Sequence, residues 1–229
     1  LLDYDTSRSF QKNLDLNKRR DLQGPIDDAF MQPFVCVTGS GTPWSQSQAD
    51  WANWTLSRFG REFDKWLRGR IRVVQDTEVD DEMIASNNLV LFGDPGSNRL
   101  MARVIARMPV EWTREAMLVA GKSYDPDSHG LSMIYPNPLN PRRYVVINSG
   151  HTFHEADFKN SNSWLFPRLG DIAVQAFSKT ASGSYDEKIS WAGFFDSHWL
   201  LEKPRPAAGK SKAKSKAKSK AKSKGGTGN

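Results

Sequence analysis

Apolar positions change their period several times along this chain, and each change marks an element. Residues 1–33 are mostly polar and are broken by Gly24-Pro25 and Pro33. Within them only the stretch after Pro25 has room for a short helix, because a proline's missing donor is harmless in a first turn. Residues 34–38, FVCVT, are compact and β-branched and predict a strand; Gly39, Gly41 and Pro43 then force a loop. From Ser47 to Leu67 the pattern becomes helical, with Trp51, Thr55, Phe59 and Phe63 at every fourth position and Trp54 and Trp66 beside them. Such a stripe is the signature of core packing rather than of a ligand cage. Gly69 is a natural stop, and RIRVV (70–74) predicts a second strand.

Asp80, followed by Met83 and Ile84, predicts a short capped helix with its acids at the favourable N-terminal end. NLVLF (88–92) is the clearest strand in the chain, GDPGSN (93–98) the loop after it, and RLMARVIARM (99–108) an amphipathic helix. Three rounds of strand, loop and helix imply right-handed crossovers and a mainly parallel sheet.

The second half is less regular. VEWTREAMLVAGKSY contains short strand-like pieces around a turn, and LSMIY (131–135) and RYVVINS (143–149) flank the proline-rich PNPLNP. These two runs predict an antiparallel hairpin at one side of the sheet. DIAVQAF (171–177) reads as the last strand, and the aromatic WAGFFDSHW (191–199) as a segment that packs back on the body. The expected fold is therefore α/β: three layers, a mainly parallel sheet of Rossmann or flavodoxin type, and an added antiparallel hairpin. Its expected organisation is an N-terminal extension (1–33) packed on an α/β domain (34–202), followed by a lysine-, serine- and alanine-rich tail (203–229).

That tail alters the meaning of the charge. The formal net charge is +6, yet residues 1–202 hold 22 of the 32 Lys+Arg and all 26 Asp+Glu, a balance near −4. From Lys210 to Lys224 a lysine stands at every second position. Like charges so spaced repel, and nothing apolar offsets the entropy of ordering, so the tail is expected to be disordered. It could touch anionic polymers or an anionic membrane surface without sequence preference. With no aromatic residue interleaved to stack on bases, it offers no specific nucleic-acid recognition. Salt-dependent binding of that kind should vanish when 203–229 are deleted.

The eight tryptophans and twelve phenylalanines require a packed interior over the first 200 positions or so. No run is long enough to cross a bilayer as a helix. Cys36, the lone cysteine, sits in the apolar FVCV and reads as a small buried hydrophobe. The opening LLDYDTSRSF has neither Met nor a secretory signal and reads like mid-chain material, which predicts a processed product or part of something longer.

Two loops could hold chemistry. In an open α/β sheet, ligands sit beyond the carboxyl ends of parallel strands. The loop 93–98 has glycines for tight turning, backbone N–H groups at the start of a helix, and Asp94, Gly96, Ser97 and Asn98 in line. It lacks GxGxxG spacing and the GxxxxGK[ST] lysine, and Asp94 discourages a phosphate, so turn-and-cap duty stands ahead of a ligand-facing role. The second loop holds Asn148, Ser149, Gly150, His151, His154 and Glu155. Nucleophilic catalysis would need the Ser149 hydroxyl within reach of a base that a third group holds. No GxSxG elbow occurs in the chain, which leaves Ser149, His151 and His154 as catalytic candidates only and favours loop fixation or interface contact. Asn137, in PNPLNP, joins the ligand- or interface-facing candidates. Neither HExxH nor a cysteine pair is present, so no metal is expected, and no cofactor. Asp27-Asp28 and Asp80-Asp81 are adjacent and do not share a face; capping or turn formation explains them better.

Taken together, LQGPIDDAFMQPF, NNLVLFGDPGSNRLMARVIARMP, MIYPNPLNPRRYVVINSGHTF and WAGFFDSHW resemble, in that order, the C-terminal region of large bacterial hydrolases of the prolyl-oligopeptidase-like kind. The similarity spans roughly residues 10–200. It implies an α/β-hydrolase peptidase module upstream in the same polypeptide, many members being exported, and a catalytic serine, aspartate and histidine that belong to that module. None of the three can be placed here, and the lysine tail is not a family feature. The resemblance thus implies a noncatalytic accessory domain that packs on or gates a serine hydrolase. An independent small-molecule- or glycan-binding or hydrolytic domain, using the 93–98 and 148–154 loops, is the alternative.

Overall fold

A computed structural model of the chain describes residues 16–153 and 168–201. Its centre is a seven-stranded sheet in the order β10-β9-β7-β8-β3-β1-β2. The parallel part comes from the regular first half: β1 (Phe34–Thr38) pairs with β2 (Val73–Gln75) on one side and β3 (Asn88–Phe92) on the other. Every residue of β3 is buried, as its unbroken apolar run requires of a strand covered on both faces.

Helix α1 (Gln46–Leu67) links β1 to β2. Ser45 caps it by accepting from the Gln48 N–H, and Trp51, Ala52, Thr55 and Phe59 form its buried stripe. Two glycines admit its rings. A Cβ on Gly130 would lie 2.2 Å from the Trp51 indole, and one on Gly150 would lie 2.2 Å from the Phe59 ring. Trp51 also stacks on Phe177 at 5.2 Å and donates from Nε1 to Glu187 Oε1 at 2.9 Å. Glu187 in turn takes the Arg58 guanidinium at 2.5 Å. At the far end the left-handed residue is Arg68 (φ 56°) rather than Gly69. Gly69 is needed for a different reason: a Cβ there would meet the Phe63 ring at 2.8 Å.

Helix α2 (Asp81–Ser86), capped by Asp80, leads into β3, and α3 (Arg99–Ile105) leaves it. The strand-like pieces that follow form a small antiparallel sheet, β4 (Glu111–Trp112), β5 (Met117–Val119) and β6 (Lys122–Tyr124), whose Trp112, Met117 and Val119 join the main core.

Two expectations need correction. The hairpin of β7 (His129–Asn137) and β8 (Asn140–Ile147) does not flank the sheet. Strand β8 pairs in parallel with β3 while β7 pairs antiparallel with both β8 and β9 (Ile172–Lys179), so the hairpin joins the two halves. Strand 171–177 is also not the last: β10 (Tyr185–Gly193) follows and pairs antiparallel with β9. The sheet is therefore mixed, with three parallel and three antiparallel pairings among the described residues, and not mainly parallel. β10 escapes a hydrophobic reading because it is an edge strand, largely exposed and charged at Asp186, Glu187 and Lys188, as edges that avoid further pairing tend to be.

The segment before β1 and the aromatic C-terminal segment meet on the body. Ile26 and Ala29, in the 3₁₀ helix Ile26–Met31, are fully buried. Phe195 and Trp199 pack edge-on against Tyr135 at 5.4 and 5.8 Å. Lys18 bridges to the buried Asp171 at 2.6 Å, and Asp171 also accepts from the Phe195 N–H.

Candidate functional site

The loops after β1 and β3 meet beyond the carboxyl ends of those strands, where an open α/β sheet offers its crevice. Here the crevice is filled from within. The Asp94 carboxylate accepts from Trp44 N–H at 2.8 Å and Ser45 N–H at 3.4 Å through Oδ2, and from Ser97 N–H at 2.8 Å through Oδ1. These are the N–H groups at the start of α1 and in the 93–98 turn that would otherwise face an anion. A second carboxylate repeats the device: Asp76 takes Ser40 N–H at 3.1 Å and Arg99 N–H, at the start of α3, at 2.7 Å. Gly41 N–H donates to Ser97 O at 2.8 Å, closing one loop on the other.

The side chains of Ser97 and Asn98 are occupied as well. Ser97 Oγ accepts from Asp94 N–H at 3.0 Å. Asn98 Oδ1 caps α3 through Leu100 and Met101 N–H, while its Nδ2 donates to Val37 O and Phe92 O. Gly96 lies under Trp44, whose ring atoms stand 2.3 Å from where a Cβ would be. Asp94 and Asn98 are 1% and 0% exposed. This loop caps and fastens; the N–H groups of Gly93, Asp94, Ser97 and Asn98 are already engaged.

The second loop is joined to the first through one residue. Asn148 adopts the left-handed conformation (φ 41°) that asparagine tolerates better than most residues. Its amide binds Gly93 like another stretch of backbone, Oδ1 accepting from Gly93 N–H and Nδ2 donating to Gly93 O, both at 2.8 Å. Asn137 is not part of this constellation. It turns the hairpin at the opposite end of β8, accepting from Leu139 N–H at 2.9 Å, one strand length of roughly 25 Å away.

Ser149 and His151 do not form a nucleophile–base pair. The Ser149 hydroxyl donates to Gly150 O at 2.9 Å and is bonded to no imidazole among the described residues. His151 Nε2 lies 3.4 Å from Glu62 Oε2 instead, and its ring is held between Phe59, edge-on at 5.3 Å, and Phe153, stacked at 4.3 Å. Thr152 gives both N–H and Oγ1–H to the Asp27 carboxylate, at 2.7 and 2.6 Å. His154 and Glu155 lie outside the described residues. Between α1 and the strand ends runs a small cleft lined by Thr55, Arg58, Glu62, Ser149 and His151, with room for about one water molecule.

No group of three or more metal-ligating side chains occurs among the described residues. The Cys36 thiol, buried in β1, is pushed far above its ordinary value by desolvation, which removes it as a nucleophile. Glu62 and Arg58 escape a reading of the sequence, because each becomes informative only when helix and loop meet, and Asp27, read there as a capping or turn residue, instead binds Thr152 across 125 positions. Thr55 enters the sequence reading only as a member of the core-packing stripe.

Burial raises the Asp27 carboxyl above its ordinary 3.8, against the lowering effect of its Thr152 bonds and of His151. A raised acid means the folded chain holds that proton to higher pH than the unfolded chain. The resulting stabilisation is fully present below the ordinary value and is lost as pH rises through the raised one. Asp27→Asn is expected to flatten this part of the profile, measured as urea midpoints between about pH 3 and pH 7. An unaltered slope would remove Asp27 as its source.

Compared with known proteins, the chain matches no family model, no curated protein and no solved structure.

Proposed function

We propose that this chain is a noncatalytic accessory domain that packs on, or gates, an α/β-hydrolase module of the serine-peptidase kind in the same polypeptide. The observation that carries the proposal is the filled crevice: Asp94 occupies the anion-receiving N–H groups at the start of α1 and in the 93–98 turn. Ser149, whose hydroxyl is engaged by Gly150 O, supports the same reading. The four sequence blocks that resemble the prolyl-oligopeptidase-like C-terminal region supply the partner's class.

The strand order supports a finer statement about the fold. From β1 the chain steps to β2 at the edge, then back across β1 to β3 and on to β8. Right-handed crossovers convert that reversal into helices on opposite faces, α1 on one and α2 and α3 on the other, in the three-layer manner of flavodoxin-like folds. The antiparallel strands β7, β9 and β10 extend this core.

An independent binding or hydrolytic role through the 93–98 and 148–154 loops has less behind it, since a drug-sized ligand needs a pocket of several hundred Å³ and the cleft admits about one water. The test is the mass of the native protein in its source cells, detected with an antibody to residues 16–153. A species much heavier than 25.8 kDa that carries serine-hydrolase activity is expected. A species of 25.8 kDa, free of any hydrolase, would overturn the proposal.

A further inference from the structure

The cleft beneath α1 has a nearly complete hydrogen-bond account. Ser132 Oγ accepts from Gln175 Nε2 at 2.9 Å and donates to Asn148 O at 3.0 Å. Asn148 is matched to Gly93, Ser149 to Gly150 O, and Arg58 to Glu187. Among the described residues, two buried side-chain atoms on residues lining the cleft are left without a protein partner: Thr55 Oγ1 and His151 Nδ1. Their residues are 3% and 5% exposed. A helical threonine can satisfy itself by bonding back to a carbonyl one turn earlier, but Thr55 does not.

Buried polar groups in native proteins rarely stay unpaired, and a polar cleft wide enough for one water molecule is where such groups find a shared partner. We propose that this cleft is a binding site for a single ordered water molecule, which accepts from the Thr55 hydroxyl and donates to His151 Nδ1. The assignment fixes the tautomer. With Nδ1 accepting, the ring proton sits on Nε2, the nitrogen that lies 3.4 Å from Glu62 Oε2. Thr55 and Glu62 are seven residues apart on α1, two turns or about 10 Å. The imidazole is thereby tied to one face of the helix through the water at Thr55, with its other nitrogen beside the Glu62 carboxylate. The water is a structural ligand that sets the angle of the loop leaving β8.

Two measurements test this on the 229-residue chain. Long-range ¹H–¹⁵N correlation at neutral pH is expected to find His151 with its proton on Nε2 and Nδ1 unprotonated. A crystal structure at high resolution is expected to contain a water within hydrogen-bond distance of both Thr55 Oγ1 and His151 Nδ1. The water should persist in Thr55→Ser, which keeps the hydroxyl, and disappear from Thr55→Val, which keeps the shape. A proton on Nδ1, or a water site that survives unchanged in Thr55→Val, would overturn the proposal. Should Thr55→Val fail to fold, the tautomer and the density of the parent protein decide by themselves.

Discussion

Trp51→Ala is expected to lower the stability of the fold by about 3–5 kcal/mol, read as a fall in the urea midpoint at neutral pH. The indole is fully buried, stacks on Phe177, and rests on Gly130, the position at which any Cβ would collide with it. Removing it opens a large cavity between α1 and the antiparallel half of the sheet. Glu187 also loses its Nε1 donor and keeps only Arg58. Met31→Ala makes the control, because Met31 is 81% exposed and its loss should change stability by no more than about 0.5 kcal/mol. Equal effects from the two substitutions would mean that α1 is not anchored as described.

Asp94→Gly is expected to cost about 3 kcal/mol, since three backbone N–H groups lose a charged acceptor in a region closed to solvent. It should also do something that a generic core defect would not. With the side chain gone, the N–H groups of Trp44, Ser45 and Ser97 form an anion cradle at the start of α1. Added formate should therefore raise the thermal midpoint of Asp94→Gly well beyond any change it causes in the parent. If formate moves both proteins alike, Asp94 is not acting as the built-in anion of this crevice.

Much of the parallel core was legible because local pattern and tertiary role coincide there. NLVLF is apolar throughout and is buried on both faces as β3; Asp80 caps α2 as its position suggests; the fourfold spacing from Trp51 to Phe63 lies on α1. What could not be read depends on pairing between distant segments. YDEKISWAG carries three charges and becomes β10 only because β9 offers it an edge. The hairpin's place in the middle of the sheet follows from β8 pairing with β3, for which no local pattern exists. The site divides the same way. Asp94 could be seen to discourage a phosphate, whereas two of the three donors that its carboxylate engages, Trp44 and Ser45, lie 50 and 49 residues upstream. Ser149 and His151 are two positions apart in sequence, and spacing says nothing of Glu62 drawing the ring toward α1.

The central proposal is that this chain carries no hydrolytic centre of its own. The most direct measurement treats the purified 229-residue protein with a fluorophosphonate, the reagent class that captures activated serines, and maps adducts by mass spectrometry. The account predicts an unlabelled Ser149 and no turnover of ester or peptide substrates. Stoichiometric labelling of Ser149, with hydrolysis that disappears in Ser149→Ala, would contradict it.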